Sequence, residues 1–486
     1  MRLSAPYSNP RRKPWDASLS RTSGSPKPPT HSPIPMHHNE HESTPTTLRI
    51  VVTTVLAIGV GVALALLVED PIQRWGAAIA GVCLVLWLSE TVPPFVPTLL
   101  LIPSVALALG LHDERFGLGS VLPWAADPVL ALFLGGFVLS AAASRYRIDH
   151  AIAGRALGLA RGRSAALLLL CAAATAILSM WISNIAAAAM MLAAMRPILS
   201  RLEPRDPLRM ALLLGIAFAA NIGGIATPIG TGPNAIAMAE VSDTHDVTFL
   251  SWMAFALPLT IALIGVVLAV ITVRYGIGGR RELPAVERSS AEPGAGWVVA
   301  IFLATVVLWL SEPLHGIPAA VVALLSTALL FLSGLLGRHD LKRVDWSTLL
   351  LIAGGITLGR LLEETRIVHD VAGAVDWSVL SPFVRTLILC MASALISSLM
   401  SNTAGAALLI PLAATIDPSP ALSILIAVAA SLGTPFVIST PPNAMVYGEG
   451  GLRFGDLALP GLIIMFGGTL LISLTGRAVL GLLGIP

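Results

Sequence analysis

From residue 49 to residue 484, apolar runs recur at close to the ~20 residues that a helix needs to cross a bilayer. The runs are rich in Ala, Leu and Gly and do not alternate with polar residues, so they read as helices of a bundle and not as strands of a barrel. Composition agrees. Hydrophobic residues make up 55% of the 486-residue chain and charged ones 12%, with a mean hydropathy of +0.82, far from a soluble domain. The expected fold is an all-α polytopic membrane protein. A net charge of +2 is too small to suggest a nucleic-acid partner. Cys83, Cys171 and Cys390 each stand alone inside an apolar run, without disulfide or metal spacing, and read as small buried hydrophobes.

Residues 1–46 are rich in Pro, Ser, His and Arg and lack apolar periodicity, so a disordered cytoplasmic tail is expected. Solvation, not metal binding, is the expected role of His31, His37, His38 and His41, and Met36 is an alternative start. The first apolar run, Ile50–Val68, has no clear cleavage site and opens a full bundle, unlike a signal peptide.

The chain then says the same thing twice. Ser179-x-x-x-Ser183-Asn184 returns as Ser397-x-x-x-Ser401-Asn402, and each copy is followed by a Gly/Pro/Thr-rich break ending in Pro-Asn-Ala, at Asn234 and at Asn443. Leu86–Glu90 (LWLSE) returns as Leu308–Glu312, and Asp127 with Gly135-Gly136 returns as Asp345 with Gly354-Gly355. The Ser-Asn motifs sit at the tips of segment pairs 165–182/185–195 and 383–400/403–413. The later arm of each pair is about 11 residues, or ~16 Å of helix, too short for a ~30 Å hydrocarbon core. Each pair is therefore expected to be a re-entrant hairpin. About eleven crossings plus two hairpins result, with an odd number per repeat and hence an inverted repeat. Broken helices in corresponding positions of two halves are the sequence mark of a secondary-transporter binding site.

Basic residues orient this plan. With the tail inside, the arginines at 145–163, 196–209 and 274–288 fall inside, as do Arg338, Lys342 and Arg343. The predicted outer loops carry only Arg74, Arg115, Arg366 and Arg385. The resulting division is 1–46 tail, 47–163 scaffold helices and start of the first repeat, and 164–275 first transport half. A cytoplasmic linker, 276–296, leads to scaffold helices 297–381 and the second transport half, 382–486. Glu90 and Glu312 precede Pro-containing breaks and read as structural, with proton relay as the alternative. Arg360 and Glu363–Glu364 read as a helix end at the outer interface.

The motif's residue types suit a small hard cation such as Na⁺, which takes Ser hydroxyls, Asn carbonyls and free backbone carbonyls. Ser179 and Ser183 are one helical turn apart, as are Ser397 and Ser401, so each pair can face one point. Gly230-Thr231 and Ser439-Thr440 would close these sites from the opposite broken helix. An anion would find half-helix N-termini with Asn184, Asn402, Thr403, Thr231 and Thr440 as neutral donors. Neither motif holds Arg or Lys, so bound cations would supply the positive charge and couple the two fluxes. Small residues also permit close helix packing, but duplication of motif and break at similar offsets favours ligand chemistry. The absence of HExxH and GxSG motifs, and of a membrane-embedded Asp pair, weighs against an intramembrane hydrolase.

The chain resembles the divalent anion:sodium symporter family across residues ~50–482. The resemblance rests on Ser401-Asn402-Thr403, Asn221–Ile236 (NIGGIATPIGTGPNAI), Ser439–Gly448 (STPPNAMVYG), Leu132–Ala142 and Trp87–Pro93. It implies symport of a small divalent anion, a di- or tricarboxylate such as succinate, by an elevator-type homodimer in a bacterial inner membrane with its N-terminus cytoplasmic. An exchanger without Na⁺ dependence, or a sulfate or other oxyanion carrier of the same fold, is the alternative. The resemblance implies Na⁺ as coupling ion and no organic cofactor. It places one sodium site on Ser179, Ser183, Asn184 and the Gly230 carbonyl, and another on Ser397, Asn402 and the Ser439 carbonyl with Ser401 nearby. The substrate would lie between Asn184, Thr231, Asn402, Thr403 and Thr440. Two departures stand out: Ile185 where the family usually has Thr, and Gly232 where the second copy has Pro441. Ile185 removes a hydroxyl donor from one end of the anion.

Overall fold

The computed structural model describes residues 47–148, 151, 154, 158–242, 245–280 and 292–485. The expected tail and most of the expected linker lie outside the described residues. Among the described residues every regular element is helical, the single β-bridge being Arg163–Arg280. The first repeat runs α1 (Thr47–Leu66), α2 (Pro71–Ser89), α3 (Val96–Ala108) and α4 (Pro128–Arg145), then α5 (Ser164–Ser179) and α6 (Asn184–Leu199). It ends with α7 (Pro207–Gly223), α8 (Gly232–Ser242) and α9 (Phe249–Tyr275). The second repeat runs α10 (Ala295–Leu310), α11 (Ala319–Leu332), α12 (Trp346–Glu364), α13 (Ile367–Gly373), α14 (Pro382–Leu399) and α15 (Asn402–Ile416). It closes with α16 (Pro420–Ala430), α17 (Pro441–Gly448) and α18 (Phe454–Leu482), the last carrying a π-turn at Ile464–Gly468. Seven of these helices, among them α9 and α18, are long and apolar enough to cross a membrane alone.

The two hairpins, α5–α6 and α14–α15, have the Ser-Asn motifs at their tips as expected, but their second arms are longer than the apolar pattern suggests. The arm reaching Leu199 has 16 residues and that reaching Ile416 has 15, against about eleven expected. Arg196 lies in the last turn of α6, where a cation complements the helix C-terminus, so the helix runs on past the end of the apolar run. At ~1.5 Å per residue both arms still fall short of a ~30 Å core.

Inverted symmetry is visible in the packing. Asp127 caps the N-terminus of α4 by accepting from Val129 N at 2.8 Å, and Asp345 does the same for α12 through Thr348 N at 3.0 Å. Gly135 of α4 lies directly against Ala323 of α11, and Gly354 of α12 against Thr98 of α3. Trp87 donates its indole N–H to Pro94 O at 2.8 Å, while Trp309 donates to Ala319 O at 3.0 Å, so each ties its helix to the start of the next. Glu312 accepts from Ala319 N at 3.2 Å, and Glu90 closes α2 in a left-handed conformation; both hold turns in place.

The most continuous core surrounds α7 and α16. Every residue of α16, and every residue of α7 after Pro207, is buried, which explains why they carry apolar residues all round instead of along one stripe. The hairpins, α8, α9, α17 and α18 surround this pair. Acidic residues staple the loops beside them. Asp456 accepts from Arg205 at 2.9 Å, from Tyr275 at 2.9 Å and from Arg274 at 3.5 Å. Asp417, just past the second hairpin, takes Arg477 at 2.7 Å with Arg385 at 3.8 Å. Trp181, at the first hairpin tip, stacks at 6.3 Å on Trp309 of α10 and meets Phe302 edge-on at 5.3 Å.

Candidate functional site

Each broken helix is held open by the Asn of its Pro-Asn-Ala. Asn234 donates its amide to the carbonyls of Gly224 at 3.1 Å, Ile225 at 3.4 Å and Thr227 at 2.8 Å. Asn443 donates to Thr434 O at 3.0 Å and Phe436 O at 2.9 Å. The partners match at an offset of 209, so the two breaks are one device built twice. Carbonyls released by unwinding would otherwise stand buried and unpaired, and a fully buried Asn satisfies several at once. A second device recurs with its parts exchanged. Thr227 donates its hydroxyl to Met180 O at 2.5 Å, and Ser439 donates to Ser398 O at 2.8 Å, each tying a break to the first arm of its hairpin. At the shared offset Phe436 replaces Thr227 and Ser439 replaces Gly230, so the hydroxyl moved three positions while its bond survived.

In the first repeat, buried Ser179 lies with its hydroxyl 2.7 Å from Asn184 Oδ1 and 2.6 Å from Ala220 O. Ser183 caps α6 by accepting from Ala186 N at 3.3 Å. Gly224 lies so close that a Cβ there would stand 2.6 Å from Asn184 Oδ1 and 2.7 Å from Gly230 O. Ser179, Asn184 and the Gly230 carbonyl are thus gathered around one point of backbone, and Ser183 adjoins them at the tip. In the second repeat Ser397 is fully buried, and Gly405 of α15 faces its Oγ. Neither Ser397 Oγ nor buried Asn402 Oδ1 has a hydrogen-bond partner. Ser401 stands at the N-cap of α15 without a side-chain cap bond. Ser439 and Thr440 are buried, and Thr440 caps α17 by accepting from Asn443 N at 3.4 Å.

The halves meet through asparagine and threonine. Asn221 donates to Asn443 Oδ1 at 3.0 Å, a buried bond between α7 and α17. Gly232 lies against Thr403, and a Cβ there would collide with the threonine hydroxyl. That contact accounts for the glycine: the first break is shaped to receive the Thr403 side chain of the other repeat. The counterpart positions, Ile185 and Pro441, are both exposed, Ile185 at 47%. Thr231, partly buried, precedes α8 as Thr440 precedes α17. Asn221, Thr227 and the ring of carbonyls held by Asn234 and Asn443 escaped the sequence reading as functional parts. The repeated Pro-Asn-Ala was their signal.

No group of three His, Cys, Asp or Glu that could hold a metal occurs among the described residues. The gathered atoms are neutral oxygens and helix N-termini, a set that suits a weakly held monovalent cation and an anion. Hairpin tips meeting broken helices in an inverted repeat define a secondary-transporter site. Residues 64–423 match the family model CitMHS, described as citrate transporter, and the chain belongs to that family. It is 30% identical to an uncharacterized transporter of Haemophilus influenzae over 81% of this chain and 89% of the relative. It is 26% identical to a sodium-dependent dicarboxylate transporter, SdcS, of Staphylococcus saprophyticus, covering 77% and 80%. The inorganic phosphate transporter PHO87 of Saccharomyces cerevisiae is 28% identical over 77% of this chain and 43% of its own length. In fold the chain is similar to the YdaH transporter of Alcanivorax borkumensis, with TM-score 0.55, 15% identity, and coverage of 79% of this chain and 98% of that one. The protein is a multi-pass membrane transporter and not an enzyme.

Proposed function

We propose that the protein couples sodium entry to symport of a small di- or tricarboxylate anion, moving both by an elevator motion within a homodimer. The observation that carries the reading is the buried second-repeat pair, Ser397 Oγ and Asn402 Oδ1, which have no protein partner. Buried polar atoms without partners need a physical explanation, and two of them together at a hairpin tip would be satisfied by a sodium ion. The sodium dependence named for the staphylococcal relative supports the same assignment. Sodium would be held at Ser179, Ser183, Asn184 and Gly230 in one repeat and at Ser397, Ser401, Asn402 and Ser439 in the other. The anion would lie between Asn184, Thr231, Asn402, Thr403 and Thr440, with Ile185 at its less polar end. With neither Arg nor Lys in either motif, anion affinity depends on the sodium bound beside it. The stack of Trp181 on Trp309 would part as the hairpin-bearing unit slides. The arginine-rich end that holds Arg205 and Arg274 would face the cytoplasm of a bacterial inner membrane.

The test is uptake of radiolabelled succinate and citrate into proteoliposomes, under an inward Na⁺ gradient against an equal K⁺ gradient. Uptake with sodium alone is expected; equal uptake in both would favour an exchanger. Ile185 is proposed to favour an anion with a less polar or smaller end, because a site that offers no donor does not select for a group needing one. An unchanged substrate ranking in Ile185→Thr would overturn that assignment.

A further inference from the structure

The two repeats fold alike but satisfy their oxygens differently. In the first, the Ser179 hydroxyl already lies between Asn184 Oδ1 and Ala220 O, and Ser183 is spent on capping. In the second, Ser397 Oγ and Asn402 Oδ1 are buried without partners, and Ser401 makes no cap bond. Two more hydroxyls share that condition: Ser431, 1% exposed, and Thr434, fully buried. They flank Gly433, whose backbone lies against Ser397, a Cβ there standing 2.8 Å from Ser397 Cβ. At the offset that aligns Asn234 with Asn443, the first repeat has Ile222 and Ile225 in their places. The second break is also longer, residues 431–440 between α16 and α17 against 224–231 between α7 and α8. The first break leaves Asn221 Oδ1 and Asn234 Oδ1 without partners. The second hairpin and break leave the four oxygens Ser397 Oγ, Asn402 Oδ1, Ser431 Oγ and Thr434 Oγ1, so more desolvated oxygen stands unused in the second repeat's site.

We propose that the two cation sites are unequal: the second-repeat site, built on Ser397 and Asn402 and extended by Ser431 and Thr434, holds sodium more tightly. The first-repeat site fills only when the cation displaces the Ser179–Asn184 hydrogen bond. This rests on the sodium-coupled reading above and deepens it. Desolvating the second set was already costed into folding, so a cation binding there gains its contacts without breaking any. A cation in the first repeat must displace the short Ser179–Asn184 bond, leaving the hydroxyl to donate to Ala220 O alone.

The experiment is equilibrium binding of ²²Na⁺ to the purified full-length protein in detergent, read by scintillation proximity without any anion. Wild type should show two components whose dissociation constants differ at least tenfold. Ser397→Ala should lose the tight component and keep the weak one, which also reports that the variant is folded. Thr434→Val should weaken the tight component about tenfold, while Thr434→Ser restores it. Ser179→Ala should abolish the weak component. A single class of equal sites, or loss of the tight component in Ser179→Ala, would overturn the inequality and leave sodium coupling standing. No ²²Na⁺ binding to wild type would overturn sodium coupling and this inference together.

Discussion

The breaks at 224–231 and 431–440 differ less in shape than in how much of their polar inventory is spent. Both use a buried Asn to gather carbonyls and a hydroxyl to tie the break to its hairpin. The first closes on itself through Ser179 and Asn184; the second leaves Ser397 and Asn402 unpartnered. Duplication thus preserved the parts that hold a backbone open and let the pairing of the hairpin-tip oxygens diverge. The cross-repeat contacts follow the same rule. Asn221 reaches Asn443, but Ala430, the residue matching Asn221, has no donor to offer Asn234, whose Oδ1 remains without a partner.

The largest expected effect comes from Gly232. Gly232→Ala drives a methyl into Thr403, and overpacking of this kind costs about 1–3 kcal/mol. Uptake in proteoliposomes should fall at least tenfold, and Gly232→Ala/Thr403→Ala should recover part of the thermal stability lost, because it removes the hydroxyl that the new methyl meets. No recovery would mean that the contact does not set the shape of the first break.

Next come the two asparagines. Asn443→Ala removes two donors to carbonyls and the cross-repeat acceptor, whereas Asn234→Ala removes donors inside one break. With about 1 kcal/mol per lost bond and more for each buried group left unpaired, both should melt at lower temperature in detergent. Only Asn443→Ala should also be insensitive to a second change, Asn221→Ala. Additivity of those two changes would break the assignment of a bond between the repeats.

A smaller effect separates the acidic staples. Asp456→Asn loosens Arg205, Arg274 and Tyr275 together, while Asp417→Asn loosens Arg477 and Arg385. The Asp456 carboxylate is buried although its arginines are partly exposed, and it also accepts from Tyr275 and from the Arg453 N–H. Asp456→Asn should therefore lower the melting temperature by a few degrees, and more than Asp417→Asn.

The smallest effect is one of pH. In the loop between α11 and α12, burial alone would raise the Asp340 carboxyl. The Gly337 N–H and the Arg145 guanidinium beside it overcome this and hold the group below its ordinary value of 3.8. A carboxyl with a depressed folded-state value contributes stability above its unfolded value and loses it as pH falls through the folded one. The melting temperature of wild type should therefore drop more steeply than that of Asp340→Asn below about pH 4. Parallel curves would remove Asp340 from the account.

Much of this was legible in the chain. Apolar runs give the helices, because backbone in lipid must satisfy itself; the repeated Ser-x-x-x-Ser-Asn and Pro-Asn-Ala give the hairpin tips and breaks. The exact ends of the arms were not legible, since hydropathy stops at Arg196 whereas hydrogen bonding does not. The split between Thr227 and Ser439 was invisible for a related reason: two residues of different type at different positions make the same bond.

What the sequence determined by itself was a twice-written membrane helix bundle with neutral oxygen sites at its two tips. The tertiary structure alone decided which of those oxygens are already paired, and that the glycine at 232 makes room for Thr403 of the other repeat. The physical reason is range. Helix formation and unwinding follow from neighbouring residues and the solvent around them. Whether a buried hydroxyl has a partner depends on groups that reach it from distant parts of the chain, and only packing brings them there.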